Sequence, residues 1–242
     1  MSLLARIRSR LSAEGFFWFQ LIGGAIAIVA SAGVFGVIAG NLTDGEPMTI
    51  LDAQVATWFH VNAMTPLTRL MLLVSDMNGI GGISTLTVLL VLAFAWKREW
   101  YWTAFAALAI PGGMLLNLLV KSAFHRARPS FTDPLVTLAS YSFPSGHTLA
   151  STLFYGTLVA YLVPRVGATA RTLIIVAGIV MVALVGLSRI YLGAHFLSDV
   201  IAAVAEGIAW LSLCLTALAT YRRRRMALAA VQTQTPSQGG RR

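Results

Sequence analysis

Three short polar clusters in this chain carry residue types that can hold and cleave a phosphate ester. The first cluster runs from Lys121 to Pro129, the second is Pro144–His147 and the third runs from Ser188 to Asp199. Six charged or imidazole side chains of the clusters could act together on a phosphate group: Lys121, Arg128, Arg189, His147, His195 and Asp199. Such groups are costly in an apolar chain, so we expect them to have a function. Three cations, two imidazoles and one carboxylate predict a site for phosphoryl chemistry.

The spacing within two of the clusters predicts how their side chains are oriented. Residues 145–147 fit the first turn of a helix that begins after a proline. The free N–H groups and the positive dipole of such a helix end favour a bound anion, and Gly146 lets that anion approach the backbone. His195 and Asp199 are four residues apart, which predicts that they share one helix face. A carboxylate in that position fixes the tautomer of the imidazole and stabilises its charged form.

The sequence around the clusters is apolar enough to form membrane-spanning helices. Of the 242 residues, 57% are hydrophobic and 11% are charged, whereas a soluble domain has about twice that share of charge. Six stretches are long enough to cross about 30 Å of hydrocarbon. We place these spans at about Phe16–Ala39, Gly79–Trp96, Trp100–Val120, Ser145–Val163, Ala168–Leu187 and Val200–Thr220. The predicted fold class is an all-α integral membrane protein, built as a bundle of six transmembrane helices.

The distribution of basic residues predicts the orientation of the chain in the membrane. On the six-span assignment, 13 of the 18 basic residues lie on one side, including Arg6, Lys97, Arg165 and the run Arg222–Arg225. The positive-inside rule makes that side cytoplasmic and places both termini inside. We therefore interpret the net charge of +9 as a topology signal and expect no binding of nucleic acid.

The predicted organisation has three segments. Residues 1–15 form a cytoplasmic N-terminus, residues 16–220 form the membrane domain, and residues 221–242 form a basic cytoplasmic tail that is disordered beyond Arg225. The external segment 41–78 contains Leu51–Phe59, whose spacing fits an amphipathic helix lying in the interface. This helix could gate lateral access of a lipid or pack over the bundle, and the sequence leaves both roles open.

This topology brings the three clusters to one face of the membrane. Lys121 follows the third span and Ser145 begins the fourth, while Arg189 follows the fifth span and Asp199 precedes the sixth. The end of an odd-numbered span and the start of the next lie on the same side. All three clusters are therefore predicted to converge on the external face.

The clusters resemble the signatures of the type 2 phosphatidic acid phosphatase (PAP2) superfamily. The signatures KxxxxxxRP, PSGH and SRxxxxxHxxxD all occur here, in the usual order and with the usual spacing. The resemblance implies a PAP2/haloperoxidase-like fold in which His195 is the nucleophile, forming a phosphohistidine, and Asp199 orients it. It also implies that His147 protonates the leaving oxygen and then acts as base on the attacking water. The residues that it implies for binding phosphate are Lys121, Arg128, Ser145, Gly146 and Arg189.

Polar residues outside the signature positions are expected to have structural roles. His125 and Arg126 occupy variable positions of the first signature, so we do not expect them to touch the substrate. Asn117 is expected to bond to a neighbouring helix. Glu206 lies seven residues after Asp199 on about the same helix face, where we favour structural pairing over a functional role.

Resemblance and topology together predict a metal-independent phosphatase acting on a lipid phosphate or diphosphate at the outer leaflet. Only Asp133 and Asp199 supply carboxylates near the clusters, too few for a typical two-metal site, so no cofactor is expected. The candidate substrates are phosphatidic acid, phosphatidylglycerophosphate, diacylglycerol diphosphate and undecaprenyl diphosphate. The small external loops indicate a bacterial inner-membrane protein with its site facing the periplasm or exterior. The alternatives are a phosphotransferase using the same histidines and a non-enzymatic lipid-phosphate binding or transport protein, and the oligomeric state is open.

Overall fold

The computed structural model describes residues 13–42 and 46–234 and consists of helices and their connecting segments. Its α-helices are α1 (Ala13–Gly40), α2 (Pro47–Val61), α3 (Thr65–Met77), α4 (Ile80–Trp96), α5 (Trp100–Phe124), α6 (Gly146–Leu162), α7 (Ala168–Tyr191) and α8 (Leu197–Gln234). A turn of 3₁₀-helix, Val163–Arg165, joins α6 to α7. No strand occurs within the described ranges, and the all-α fold class is confirmed.

Two of the helices extend beyond the predicted spans at the end where the clusters lie. α5 continues to Phe124 and α7 to Tyr191, so Lys121 and Arg189 each lie in the last turn of a helix. The helix backbone therefore fixes the position of both cations. α6 begins at Gly146 after an extended N-cap residue, as the pattern of residues 145–147 predicts.

Four helices, α1, α5, α7 and α8, are long and apolar enough to cross a membrane. α3 and α4 are bent by 48° at the break between them and qualify together as a fifth span. α6 has 17 residues, which corresponds to about 26 Å of helix. The presence of several membrane helices is thus confirmed, while the number of six spans stays a prediction.

α6 is the central helix of the bundle and contacts α4, α5, α7 and α8. Its side chains Leu149 and Leu153 are fully buried and belong to one core with Ala106 and Ala109 of α5 and Ala203 of α8. Small residues at such interfaces allow close approach of membrane helices. This packing fixes the start of α6 relative to the ends of α5 and α7 and the start of α8.

The external segment 41–78 folds into α2 and α3. α2 contacts α7 and α8, and α3 packs along α7. α2 buries Asp52 and Ala56, and the ring of Phe59 lies 6.0 Å from that of Tyr191 in α7. The segment therefore packs over the bundle, and a role in gating lipid access stays a prediction.

α8 extends to Gln234, beyond the predicted end of the last span at Thr220. The disorder predicted after Arg225 is wrong for residues 226–234, where helix-favouring residues such as alanine continue the helix. The predictions for residues 1–12 and 235–242 fall outside the described residues.

Candidate active site

The three polar clusters meet around one cavity of about 360 Å³. Its walls come from the start of α4, the end of α5, the start of α6, the end of α7 and the segments before α4, after α5 and after α7. The predicted site residues that line it are Lys121, Arg128, Gly146, His147, Arg189 and His195. The other lining residues are Asn78, Asn117, Ser140, Ala150 and the apolar Ile80, Met114, Leu118 and Leu138. The cavity lining therefore combines three cationic side chains with four apolar ones.

Two of the cations are held mainly by backbone carbonyl groups. Lys121 Nζ donates to the carbonyl oxygens of Tyr141 at 2.8 Å and Ser142 at 3.2 Å. Arg128 Nε donates to the carbonyl of Ser140 at 2.6 Å, and Nη2 donates to the carbonyl of Tyr141 at 3.1 Å. Carbonyl groups carry no net charge, so the positive charge of both side chains remains available to an anion.

The third cation, Arg189, is 3% exposed in the last turn of α7. Its Nη1 donates to Ser75 Oγ in α3. Its Nε and Nη2 have no hydrogen-bond partner among the described residues. A buried guanidinium with unused donors is costly, and its planar fork matches two phosphate oxygens at once. Arg189 therefore has the geometry of an anion receptor.

Arg128 also determines which nitrogen of His195 carries the proton. Arg128 Nη1 lies 3.2 Å from His195 Nε2, and because a guanidinium can only donate, Nε2 must accept. We assign the ring proton to Nδ1 from this hydrogen-bond pattern. Nδ1 lies 3.5 Å from Asp199 Oδ2. The lone pair on Nε2 is then on the Arg128 side of the ring, as a nucleophile at this cavity requires.

The surroundings of His195 favour its neutral form. The side chain is 2% exposed, and burial lowers its pKa from 6.5 to about 4. Asp199 opposes this decrease because a carboxylate favours the imidazolium, whereas Arg128 and Lys121 add to it. A neutral imidazole keeps the electron pair that an attack on phosphorus needs.

Asp199 is fully buried and accepts hydrogen bonds on both oxygens. Oδ1 accepts from Arg126 Nη1 at 2.6 Å, and Oδ2 accepts from the Ser142 hydroxyl and from the Phe196 N–H at 2.9 Å. The prediction that His195 and Asp199 share a helix face is wrong, since α8 begins two residues after His195. Asp199 instead reaches back toward the start of α8, as a capping residue does, and this brings Oδ2 toward the imidazole.

The turn between α7 and α8 places His195 beside the end of α7. The N–H groups of Ala194 and His195 donate to the Arg189 carbonyl at 3.0 and 3.2 Å. Gly193 has a φ of +65°, which favours glycine, and a Cβ at this position would lie 3.0 Å from the ring of Phe131. The local backbone thus fixes an imidazole and a guanidinium relative to each other.

The start of α6 supplies the remaining predicted residues. Gly146 and His147 are its first two residues and line the cavity. The His147 Nε2 atom would lie 3.3 Å from a Cβ added at Gly79, so the imidazole packs closely on that backbone. Ser145 is fully buried, pairs with Thr148 Oγ1 at 3.0 Å and is not among the described residues that line the cavity. Its contact with phosphate stays a prediction.

The structure also shows site residues that the sequence analysis missed. Asn78 lies at the bend between α3 and α4, lines the cavity and accepts from the Tyr155 hydroxyl at 3.1 Å. Arg126 was expected not to touch the substrate and had no other predicted role. In the structure it pairs with Asp199 and with Asp52 of α2. Asp52 is the one carboxylate of α2, which is a signal that the sequence offers. Its partner Arg126 lies 74 residues away, so the sequence does not indicate the pairing. His125, by contrast, is exposed.

Asn117 and Glu206 were each expected to bond to a structural partner, and the structure confirms this because they bond to each other. Asn117 Nδ2 in α5 donates to Glu206 Oε2 in α8 at 3.0 Å. Asn117 also lines the cavity, while Glu206 Oε1 is buried without a partner among the described residues. The bond therefore joins two helices directly behind the site.

A family model described as the PAP2 superfamily matches residues 100–223. This range contains all three polar clusters and is just over half of the 242 residues. The chain therefore belongs to the PAP2 superfamily.

Two named relatives each match a part of the chain. Phosphatidylglycerophosphatase B of Bacillus subtilis (strain 168) is 40% identical over 97 residues, covering 39% of this chain and 47% of the relative. A lipid A 1-phosphatase of Rhizobium etli is 41% identical over 115 residues, covering 44% of each protein. The match therefore spans less than half the length of these relatives.

Two crystal structures share the fold over a longer range. The transmembrane PAP2-type phosphatidylglycerolphosphate phosphatase from Bacillus subtilis has a TM-score of 0.71 at 24% identity, covering 83% of this chain and 97% of that chain. Aquifex aeolicus LpxE has a TM-score of 0.56 at 22% identity, and the match covers 68% of this chain and 94% of that chain. The helical bundle is thus the fold of PAP2 membrane proteins.

Proposed function

We propose that this protein is a metal-independent phosphatase that hydrolyses a lipid phosphate or diphosphate through a phosphohistidine at His195. One observation carries the proposal. Buried Arg189, whose Nε and Nη2 have no hydrogen-bond partner among the described residues, lines the same cavity as the His195 imidazole, whose Nε2 keeps its lone pair. None of the described residues that line the cavity is Asp or Glu, so its electrostatics favour an anion.

The proposed reaction has two steps. First, His195 Nε2 attacks phosphorus, the bond from phosphorus to the ester oxygen breaks, and His147 gives a proton to that oxygen. Then His147 takes a proton from water, the water oxygen attacks phosphorus, and the N–P bond breaks to release inorganic phosphate and neutral imidazole. Lys121, Arg128 and Arg189 stabilise the charge that builds on the equatorial oxygens.

The apolar residues in the cavity lining support a lipid substrate. Ile80 of α4 and Leu118 of α5 line the cavity and are 76% and 61% exposed. We propose that the phosphate group lies at the cations while the hydrophobic tail leaves between α4 and α5 into the membrane. The names of the relatives support phosphatidylglycerophosphate among the candidate substrates and add lipid A 1-phosphate to them.

We place the site at the outer leaflet of a bacterial inner membrane, with both termini in the cytoplasm. Lys97 and Arg165 lie in the turns at the opposite end of the bundle from the cavity, and the positive-inside rule makes that end cytoplasmic. The named relatives are bacterial. Lys121, Arg128 and Arg189 lie at the external end of the bundle and so depart from the positive-inside rule. Binding of phosphate explains why these cations are there.

Phosphate release from purified protein in detergent tests the proposal. The panel is phosphatidic acid, phosphatidylglycerophosphate, diacylglycerol diphosphate, lipid A 1-phosphate and undecaprenyl diphosphate, and the order of kcat/KM values identifies the substrate class. His195→Asn should remove nearly all turnover. His125→Asn, which changes an exposed imidazole outside the cavity, is the matched control and should keep it. Wild-type turnover by His195→Asn would exclude the mechanism.

A further inference from the structure

One guanidinium, that of Arg126, lies between two buried carboxylates. Its Nη1 donates to Asp199 Oδ1 at 2.6 Å and its Nη2 to Asp52 Oδ2 at 2.8 Å. The side chains of Asp199 and Asp52 are 0% and 2% exposed. The ring of Phe196 covers the guanidinium, with its centroid 4.4 Å from Arg126 Cζ. A single cation thus links α2 to the carboxylate that faces His195.

Asp52 is also bonded to the first turn of α8. The Ser198 N–H donates to Asp52 Oδ1 at 2.9 Å, and the Ser198 hydroxyl donates to Oδ2. Arg126 Nη1 lies 2.8 Å from Ser198 Oγ as well. Asp52 therefore caps α8 from a different helix and satisfies an N–H group that a helix start leaves free.

Arg126 is one of three groups that orient the Asp199 carboxylate, together with the Ser142 hydroxyl and the Phe196 N–H, which both bind Oδ2. Because Arg126 binds Oδ1, the carboxylate is held with Oδ2 toward His195 Nδ1, at 3.5 Å. The group Asp52–Arg126–Asp199 has a net charge of −1, so it can stabilise the imidazolium character that forms when His195 bonds to phosphorus. Buried ion pairs are weak contributors to stability compared with apolar packing, so stability gives little reason for the pair of Arg126 with Asp52 beyond the cap that Asp52 provides for α8.

We propose that Asp52 is a positioning residue for the reaction, holding Asp199 through Arg126 in the orientation that directs Oδ2 at His195. The inference rests on the proposed role of His195 as nucleophile. Asp52 and Arg126 are not among the described residues that line the cavity, so both act without touching the phosphate. Helix α2 is then part of the catalytic apparatus as well as a cover for the bundle.

The substitution Asp52→Asn tests this role, because it keeps the size of the side chain and removes its charge. We expect kcat to fall by about 10–100-fold, since displacement of a reacting group by about 1 Å costs about 10² in rate. KM and the inhibition constant of inorganic phosphate should stay near their wild-type values, because Lys121, Arg128 and Arg189 are unchanged. The control is Asp133→Asn, an exposed carboxylate in the segment between α5 and α6, which should keep the wild-type kcat.

A double-mutant cycle separates positioning from general damage to the fold. If Asp52 acts through Arg126, kcat of the variant carrying both Asp52→Asn and Arg126→Gln should equal that of Arg126→Gln alone. Independent, additive losses would overturn the proposal. If Asp52→Asn does not fold, Asp52→Glu keeps the charge, shifts the carboxylate and should show the same loss in kcat with phosphate binding intact.

The outcomes also distinguish this inference from the proposed function. Wild-type kcat in folded Asp52→Asn, with His195→Asn inactive, would overturn the positioning role alone. Equal losses of phosphate affinity and kcat in Asp52→Asn would show a structural role and overturn it too. Turnover by His195→Asn would instead overturn the proposed function.

Discussion

Replacement of Arg189 by Lys keeps a positive charge in the site and removes the bidentate fork that we assign to phosphate binding. Arg189 lines the cavity and has two nitrogens without a hydrogen-bond partner among the described residues, and a hydrogen bond to a charged group contributes about 1.5–3 kcal/mol. Lysine can restore at most one of these bonds because its ammonium acts as a point charge. Loss of one bond at the upper end of that range weakens phosphate binding by about 100-fold, since about 1.4 kcal/mol corresponds to a factor of ten.

Thermal unfolding of the purified protein with and without inorganic phosphate measures this loss without any turnover. At a phosphate concentration of about 100 times the wild-type Kd, binding stabilises the folded state by about 2.7 kcal/mol. A protein of this length shifts by about 2–4 °C per kcal/mol, so the wild-type melting temperature should rise by about 5–10 °C. The same phosphate concentration is close to the Kd of the Arg189→Lys variant, so the melting temperature of that variant should rise by about 1 °C.

A matched control for Arg189→Lys lies at the other end of the bundle. Arg165 is partly exposed, stacks on Tyr161 with its Cζ 3.8 Å from the ring centroid and pairs with Glu99 at 3.3 Å. Arg165→Lys should keep the full phosphate-dependent shift. If Arg189→Lys kept that shift as well, Arg189 would not bind phosphate and the assignment of its free nitrogens would be wrong.

Three further outcomes are expected. Gly193→Ala should lower the free energy of unfolding by about 1–2 kcal/mol, because φ is +65° and the added Cβ meets Phe131; Gly36→Ala, with nothing within 4 Å, should show no such loss of melting temperature. Folded His195 stays neutral down to a pKa of about 4, whereas the unfolded chain binds that proton below about 6.5. The free energy of unfolding should therefore fall as the pH drops from 6.5 to 4. In a plot of melting temperature against pH, His195→Asn should make this part of the curve flatter. Phosphate release should be equal with and without EDTA, since the described residues contain no group of three His, Cys, Asp or Glu side chains that could hold a metal; activity that EDTA abolishes would contradict this.

The convergence of the clusters could be predicted because each one lies at the end of an apolar segment. Alternation of the membrane spans then places Lys121, His147 and Arg189 at one end of the bundle whatever the details of packing. The helix start at residues 145–147 was predictable for a local reason, since a proline and small polar residues precede an apolar run.

The parts that could not be predicted depend on contacts between distant segments. Four-residue spacing suggested that His195 and Asp199 share a helix, but Gly193 ends α7 in a turn that leaves His195 outside α8. The bond from Asp52 to Arg126 joins residues 74 positions apart, and the bond from Ser75 to Arg189 joins residues 114 apart. Only the packing of α2 and α3 over the bundle forms these pairs.

Trapping of a phosphoenzyme tests the central claim, that His195 forms a covalent bond to phosphorus. His147→Ala should slow hydrolysis of the intermediate, and a lipid diphosphate has a leaving group that departs with little help from an acid. We therefore expect His147→Ala, quenched in base after mixing with a lipid diphosphate, to carry an acid-labile phosphoryl group on His195 by mass spectrometry. Adding His195→Asn should abolish the label. A phosphoryl group on another residue, or turnover that persists in His195→Asn, would contradict the mechanism.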